Sequence, residues 1–253
     1  MNLKFTVVTV VFNGEKVIRK TIESVLNQEY TPYEYLIVDG RSNDKTLDIV
    51  NGYRDSFDQK GINFYVISEK DTGIYNAMNK GVKYAKGDFI SFLNAGDWYE
   101  LDALKNINAF YQAEPFELTY GGLHYINPNG TMTNKMSKND DHGIVTSRHW
   151  NHPSMFLSAE LYKQNGFDEK FPAYADFNLY LKMRKNGVKI RVIDKVITNF
   201  VADGVSTNTN MKKVLGRAKE KYKAYRENGY SVLYWLESYG WELFKAIYFS
   251  IKS

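Results

Sequence analysis

The chain has 253 residues, a formal net charge of +4, 43% hydrophobic residues and 25% charged residues. These values are typical of a globular protein with a sizeable core. The absence of cysteine excludes disulfides and thiolate chemistry and fits a reducing compartment. No signal peptide precedes the first apolar run, and no apolar stretch is long enough to predict a transmembrane helix. We therefore expect a cytoplasmic protein.

The positive charge is concentrated near the C-terminus. Residues 211–253 contain nine Lys or Arg and four Asp or Glu, whereas the first 210 residues are close to neutral. Proteins that bind nucleic acid usually spread basic charge over a recognition surface. We expect no nucleic-acid partner.

Apolar runs rich in β-branched residues predict strands at residues 5–12, 35–38, 62–67, 88–93, 118–126, 154–157, 188–193 and 196–200. Helical spacing of apolar residues predicts helices at residues 15–28, 43–55, 72–84, 101–112, 159–165, 177–185, 211–228 and 231–250. Residues 127–148 are polar throughout and predict a mobile loop.

The alternation of strands and helices in the first hundred residues predicts the architecture. Each connection between successive strands is long enough for a crossover, which favours βαβ units and a parallel sheet. We predict an α/β fold with a mostly parallel central sheet flanked by helices. It divides into a domain at residues 1–210 and a C-terminal helical extension at residues 211–253.

Polar side chains follow each of the first four predicted strands. Asn13, Asp39, Asp71 and Asp97 stand at these strand ends in order. The carboxyl ends of parallel strands share one edge of a sheet, where ligands of open α/β proteins bind. Turns recruit Asn and Asp for structural reasons as well. Four such residues in succession predict a shared ligand crevice.

Asp97 has two interpretations. It ends the buried run Phe89–Leu93 and a short glycine-containing turn, where a carboxylate can hold a divalent metal against a phosphate. It could equally cap the helix that begins near Leu101, since Asp is favoured at helix starts. The chain has neither GxGxxG nor GxxxxGK[ST], so a bound phosphate would be held by a metal rather than by a glycine-rich loop.

Several motifs in order resemble those of the family 2 glycosyltransferases. They are TVVTVVFNGE at 6–15, SVLNQ at 24–28, LIVDGRSNDKT at 36–46, SEKDTGIYNAMNKG at 68–81, AKGDFISFLNAGD at 85–97 and GFDEKFPAYADFNLYLKMRKNG at 166–187. HPSMF at 152–156 is similar to a subgroup that makes bacterial surface polysaccharides. The resemblance covers roughly residues 5–205.

The resemblance implies the GT-A fold and an inverting transfer. The donor would be a nucleotide-diphosphate sugar, usually UDP-linked, the cofactor Mn²⁺ or Mg²⁺, and the acceptor a hydroxyl of a glycan or a lipid-linked glycan. By resemblance, donor-binding positions are Phe12, Asn13, Glu15, Asp39, Asp71 and Asn79, and Asp39 would accept a hydrogen bond from the base. We add Asn94, Ala95 and His152 as expected donor contacts. His152 would touch the diphosphate or the acceptor, and its alternative interpretation is a capping or core histidine.

The metal ligand implied by the resemblance is Asp97, at the end of the family's DxD region. This sequence departs from the commoner DxDD pattern, because Asn94 and Gly96 stand where acids are usual. Asp97 is the only carboxylate left in the turn. We therefore expect weaker metal binding, or a site that the bound donor completes.

Asp176 matches the position of the family's catalytic base. Inverting transfer needs a carboxylate to remove the proton of the acceptor hydroxyl. The alternative, from position alone, is an N-cap for the helix that begins at Phe177. With the resemblance, we interpret Asp176 as the base.

The C-terminal extension also has two interpretations. Seven Lys or Arg lie between Lys212 and Arg226, and an aromatic amphipathic segment follows. Such a pair of helices can lie on an anionic membrane surface, here at its inner face. They could instead pack on the domain or on a second subunit of a homo-oligomer.

Two further classes of function stay open at this point. A nucleotidyltransferase can use a similar sheet, although FNGEKVIRK only faintly resembles its phosphate loop. A non-catalytic sugar-binding scaffold is suggested by the missing acids at Asn94 and Gly96. Release of UDP from a donor would favour the transferase, and release of pyrophosphate the nucleotidyltransferase.

Overall fold

The computed structural model describes residues 2–127, 129–139, 144–202 and 210–252, with side chains up to Ile247. The strands are β1 Phe5–Val11, β2 Glu34–Asp39, β3 Asn63–Ser68, β4 Phe89–Phe92, β5 Trp98–Tyr99, β6 Leu118–Ile126, β7 Met132–Lys135, β8 Phe156–Ser158 and β9 Ile190–Val201. A 3-10 turn, His152–Ser154, precedes β8.

The helices flank this sheet. They are α1 Ile18–Leu26, α2 Thr46–Asn51, α3 Arg54–Gln59, α4 Ile74–Tyr84, α5 Ala103–Ala113, α6 Ala159–Asn165, α7 Ala175–Lys185, α8 Met211–Glu227 and α9 Tyr234–Lys252. Within the described part of the chain, no helix combines the length and apolarity that spanning a bilayer requires.

The strands form one sheet in the order β3-β2-β1-β4-β8-β6-β9-β5, with β7 added to β6. As predicted, the first four strands are parallel. Beyond β4 the sheet is mixed, because β8 runs antiparallel to both β4 and β6. The α/β fold with a helical C-terminal part is confirmed. The carboxyl ends of β1 to β4 share one edge, which is where the predicted polar residues lie.

The core occupies both faces of the sheet. Every residue of β1 is buried, and its side chains alternate between the two faces, with Val7 in one apolar cluster and Val8 in the other. A strand covered on both sides reads as a continuous apolar run, which is why the sequence identified it. The rigid strand fixes the turn that follows it.

Three predicted elements differ from the structure. The helix predicted at 43–55 is two short helices, because the chain breaks at Gly52, a poor helix former. The predicted loop at 127–148 contains β7, which pairs with the end of β6. The late strands predicted on either side of Asp194 are one strand, β9, and the register shift beside Gly122 accommodates its irregular middle.

The C-terminal helices share the core with the sheet. Ala224 and Tyr225 of α8 are fully buried in the same cluster as α7 residues such as Phe177. The rings of Tyr225 and Phe177 lie edge to face. The domain boundary predicted at residue 210 stays a prediction. It adjoins residues 203–209, which are outside the described residues.

Two helical glycines offer a matched test of this packing. A Cβ atom on Gly81 of α4 would lie 2.5 Å from Cγ1 of Val8, whereas a Cβ on Gly216 of α8 would meet nothing within 4 Å. Alanine gains about 1 kcal/mol over glycine in a helix, and overpacking costs about 1–3 kcal/mol. We expect Gly81→Ala to lower the free energy of unfolding and Gly216→Ala to raise it, both measured by urea denaturation. Equal effects of the two changes would contradict the close contact of α4 with β1.

Candidate active site

The turn after β1 is fastened to the loop after β2. The Oδ1 atom of Asn13 accepts the backbone N–H of Asn43 at 2.9 Å, and Oε2 of Glu15 accepts that of Lys45 at 3.0 Å. Asn13 adopts a left-handed φ of 51°, which Asn tolerates better than most residues. Beside this turn the ring of Phe12 is 64% exposed. An exposed aromatic face on a rigid turn can stack against a planar ligand.

Asp39 is the last residue of β2 and is fully buried. Its carboxylate accepts the backbone N–H groups of Arg41 and Ser42 and, at 2.6 Å, the hydroxyl of Ser68. Arg41 has a left-handed φ of 65°, which turns the chain back over the carboxylate. The carboxylate therefore fixes the loop that faces the β1 turn.

Asp71 lies against both of these segments. A Cβ atom on Gly40 would stand 2.6 Å from Oδ2 of Asp71 and 3.4 Å from the ring of Phe12. The other carboxylate oxygen of Asp71 accepts the N–H of Gly73 at 3.0 Å, just before α4. Three of the four predicted strand ends thus converge, as expected, and Gly40 leaves room between them.

The turn after β4 lies beside the turn after β1. A Cβ atom on Gly14 would be 3.7 Å from Cβ of Ala95. Asp97 is 4% exposed, and its Oδ1 accepts the N–H of Val201 at 2.9 Å. The helix-capping interpretation is wrong, because α5 begins at Ala103 and its N-cap residue is Asp102. The carboxylate of Asp97 instead links the turn after β4 to the end of β9.

This turn can be tested for its fit to a divalent cation. The Oδ1 atom of Asn94 is buried and has no hydrogen-bond partner. It is therefore an oxygen that can coordinate a cation, and it lies on the same turn as Asp97. Among the described residues, however, no three His, Cys, Asp or Glu side chains converge on one point. Carboxylate and amide oxygens suit Mg²⁺ or Mn²⁺, which usually take further ligands from substrate phosphates and water. The residues fit a cation that arrives with a phosphate ligand.

Asp176 is held at three points in the first turn of α7. Its Oδ1 accepts the hydroxyl of Tyr75 at 2.9 Å and the N–H of Phe177 at 2.8 Å. Its Oδ2 lies 3.3 Å from Nδ1 of His152. The N-cap position of α7 belongs to Tyr174, so Asp176 does not occupy the cap predicted by the alternative. The side chain keeps 18% exposure, which leaves it accessible to a substrate.

The two ring partners of Asp176 are set in protonation states that suit donation. Burial, followed by the charge of Asp176, raises the pKa of Tyr75 well above its usual value, so the phenol stays protonated. Burial lowers the pKa of His152, against an opposing effect of Asp176. A neutral His152 that donates from Nδ1 presents a lone pair at Nε2. That nitrogen is buried and has no hydrogen-bond partner.

The imidazole of His152 is fixed by aromatic neighbours. It stacks on Trp150 with ring centroids 5.7 Å apart, and it also contacts the rings of Phe92 and Phe167. Phe92 ends β4 two residues before Asn94. The turn after β4 and the cluster around Asp176 are therefore connected through one strand.

Asn79 has a different placement from the one expected of a donor contact. Its amide donates to the carbonyl of Phe167 and accepts the N–H of the same residue, both within 2.9 Å. It ties α4 to the segment that leads into α7. In this structure Asn79 supports the site, and its predicted contact with the donor stays a prediction.

Two residues of the site were not assigned a catalytic or supporting part by sequence reasoning. Tyr75 lies in the motif SEKDTGIYNAMNKG, which indicates no contact with Asp176, yet its hydroxyl binds that residue, 101 residues away in the chain. Glu220 of α8 accepts the N–H groups of Ala173 and Tyr174, immediately before α7. No local pattern could have found these contacts, because both partners are brought together only by the fold.

Comparison with known proteins gives consistent results. A family model described as "Glycosyl transferase family 2" matches residues 6–181. A dolichyl N-acetyl-alpha-D-glucosaminyl phosphate 3-beta-D-2,3-diacetamido-2,3-dideoxy-beta-D-glucuronosyltransferase of Methanococcus voltae is 28% identical, covering 90% of this chain and 76% of the relative. A PGL/p-HBAD biosynthesis glycosyltransferase of Mycobacterium tuberculosis is 27% identical, covering 83% of this chain and 81% of the relative.

Solved structures show the same fold. S. aureus TarS 1-349 in complex with UDP-GlcNAc has a TM-score of 0.68 and 20% identity, over 99% of this chain and 74% of TarS. The mannosyltransferase PcManGT from Pyrobaculum calidifontis, in complex with GDP-Man and Mn²⁺, has a TM-score of 0.65 and 16% identity, over 100% of this chain and 75% of that one.

Proposed function

This chain belongs to glycosyl transferase family 2, and from that premise we propose that it transfers a sugar from a UDP-sugar to an acceptor hydroxyl in surface polysaccharide biosynthesis. The observation that carries the proposal is the arrangement around Asp176. Its carboxylate is partly exposed and is fixed by Tyr75, by His152 and by its own helix. The structure of S. aureus TarS, which has the same fold, contains UDP-GlcNAc. We infer that the transfer inverts the configuration at the anomeric carbon, because the one carboxylate held here suits the general base that an inverting transfer needs.

The donor would lie across the convergent strand ends. The ring of Phe12 offers a stacking face, Asp71 lines the space around Gly40, and the buried carboxylate of Asp39 fixes the loop beside it. Asn13 and Glu15 fix the backbone on which these groups stand. In this arrangement the nucleoside end of the donor occupies the β1–β2 side. The diphosphate would then extend toward Ala95, Asn94 and Asp97 on the neighbouring turn.

Asp176 would remove the proton of the acceptor hydroxyl as that oxygen forms its bond to the anomeric carbon. The bond from this carbon to the diphosphate oxygen breaks at the same time, and the electron pair leaves with the diphosphate. Tyr75, through its hydrogen bond, and His152, through its close contact, orient the carboxylate. His152 would act on the acceptor side of the site indirectly, by positioning the carboxylate of Asp176.

A divalent cation, Mn²⁺ or Mg²⁺, would be held by Asp97 and the Oδ1 atom of Asn94. When bound, such a cation neutralises charge on the leaving diphosphate. The proposal is supported by the orphaned oxygen of Asn94 and by Mn²⁺ in the PcManGT structure. Because the turn has one carboxylate, the cation would bind mainly together with the donor. The nucleotidyltransferase alternative is not favoured, since the comparisons agree on glycosyl transfer.

The first prediction concerns the base. We expect Asp176→Asn to lower UDP release from UDP-GlcNAc, or from whichever UDP-sugar proves active in a panel, by about 10²–10⁴-fold, the usual contribution of a general base. Stabilisation of the variant by UDP, measured by thermal unfolding, should be unchanged. The matched control is Asp55→Asn, which alters an exposed carboxylate in the first turn of α3. An active Asp176→Asn enzyme would refute the assignment.

The second prediction concerns the cation. We expect Mn²⁺ to increase the stabilisation of the protein by UDP, since ligands of the folded state raise its stability by mass action. Asp97→Asn keeps an oxygen that can accept the Val201 N–H but loses the charge, so the effect of Mn²⁺ should fall. Asn94→Asp adds a carboxylate to the turn and should strengthen it. If Mn²⁺ has the same effect on all three proteins, this turn does not bind the metal.

The C-terminal helices also present a surface that suits an anionic membrane, and we propose this contact as the partner of the extension. The exposed apolar face of α9 contains Leu236, Leu243, Phe244 and Ile247, and exposed Leu233 lies just before the helix. The exposed cations of α8 are Lys212, Lys213, Lys219, Lys223 and Arg226. Two of the seven basic residues counted in the sequence, Arg217 and Lys221, are instead buried in ion pairs. The remaining five still complement an anionic surface.

We expect the double variant Leu236→Ser and Phe244→Ser to sediment less with vesicles containing phosphatidylglycerol than the unaltered protein does. Removing the whole of α9 is a poorer test, because its other face is buried. The control pair is Leu101→Ser and Met132→Ser, whose side chains are similarly exposed elsewhere. Equal sedimentation of the two double variants would contradict the membrane contact, and a loss of dimers on gel filtration would identify a subunit interface instead.

A further inference from the structure

The carboxylate of Asp39 is enclosed by the loop that it fixes, and Asp39 has no exposed surface. Its Oδ2 atom accepts the hydroxyl of Ser68 at 2.6 Å and the N–H groups of Arg41 and Ser42 at 3.1 Å. Its Oδ1 atom accepts the N–H of Ser42 at 3.2 Å. A carboxylate buried in this way can contact a ligand only if the loop opens and these bonds are lost.

Asp71 differs from Asp39 in having a free oxygen at the convergent strand ends. Its Oδ1 atom accepts the N–H of Gly73 at 3.0 Å. Its Oδ2 atom has no hydrogen-bond or ion-pair partner in the part of the chain that the structure describes, and the residue is partly exposed. An ionised carboxylate can accept hydrogen bonds on both oxygens. Asp71 can therefore accept one from a ligand without releasing Gly73.

The free oxygen of Asp71 stands where a side chain on Gly40 would be. A Cβ atom on Gly40 would lie 2.6 Å from this oxygen and 3.4 Å from Cδ2 of Phe12. The absence of a side chain at Gly40 thus lets the carboxylate of one loop approach the 64% exposed ring of another. A planar ligand stacked on Phe12 would turn one edge toward Asp71.

We propose that Asp71, rather than Asp39, accepts the N3–H of a uracil base stacked on Phe12, and that this contact makes the site prefer uracil to cytosine. The N3 atom of uracil carries a proton between two carbonyl groups. The N3 atom of cytosine carries a lone pair, which a facing carboxylate repels. A hydrogen bond to a charged acceptor is stronger than a neutral one. That the base belongs to a sugar donor rests on the proposed glycosyl transfer, whereas the contact with the base does not.

The experiment compares the binding of UDP, CDP and N3-methyl-UDP by titration calorimetry with Mn²⁺ present. We expect the unaltered protein to bind UDP about tenfold or more tightly than either analogue, as loss of a charge-assisted hydrogen bond implies. Asp71→Asn keeps an oxygen for the Gly73 N–H and presents an amide N–H₂ to the base. It should lose the preference for UDP over CDP, while its affinity for N3-methyl-UDP stays close to that of the unaltered protein.

Three further variants separate the contact with the base from support of the loop. Gly40→Ala places a methyl group against the free oxygen of Asp71, so it should also reduce the preference for UDP. Asp39→Asn and the milder Ser68→Ala loosen the loop. Both should lower the melting temperature of the free protein and keep the preference for UDP over CDP.

Two results would overturn the assignment to Asp71 and leave the transferase proposal intact. One is a preference for UDP that Asp71→Asn retains, and the other is a preference that Ser68→Ala removes and Asp71→Asn does not. Equal binding of UDP, CDP and N3-methyl-UDP by the unaltered protein would overturn the selection of uracil. If the unaltered protein binds none of the three, the proposed UDP-sugar donor is wrong as well.

Discussion

The carboxylate of Asp176 is held from three parts of the chain, by two hydrogen bonds and by a close contact with an imidazole nitrogen, and much of the structure supports these three contacts. Tyr75 comes from α4, the Phe177 N–H from α7 itself, and His152 from the 3-10 turn before β8. Each element is in turn fixed by the core: α4 packs against β1, and the imidazole is enclosed by aromatic rings. A reactive group can be oriented well only if its supports are rigid.

The sequence predicted the first half of the fold well because its signals are local. Strand β1 is a continuous apolar run, and the polar residues after each of the first four strands lie at one edge as parallel pairing requires. The same reasoning failed where a local signal was overlooked. Asn129 and Gly130 form a recognisable hairpin turn, with Gly130 at φ 79°, and β7 follows it.

Much of the candidate site depends on contacts that no spacing encodes. The partner of Asp97 is the backbone of Val201, and that of Asp176 is Tyr75, each about a hundred residues away. The motif resemblance predicted which carboxylates belong to the site, but it could not say what surrounds them. The basic C-terminal segment illustrates the same limit. Composition counted its charges correctly, whereas only the fold separates exposed Lys219 from buried Lys221.

The two backbone amides ahead of α7 receive their acceptor from outside the sheet, because Glu220 of α8 takes the N–H groups of both Ala173 and Tyr174. A polypeptide trimmed at residue 210 would retain every strand yet lose this acceptor, and the amides would turn to water or to one another. The start of the helix that carries the carboxylate would then loosen. Shortening this chain to its sheet would therefore slow the proposed transfer, even if the nucleotide still bound.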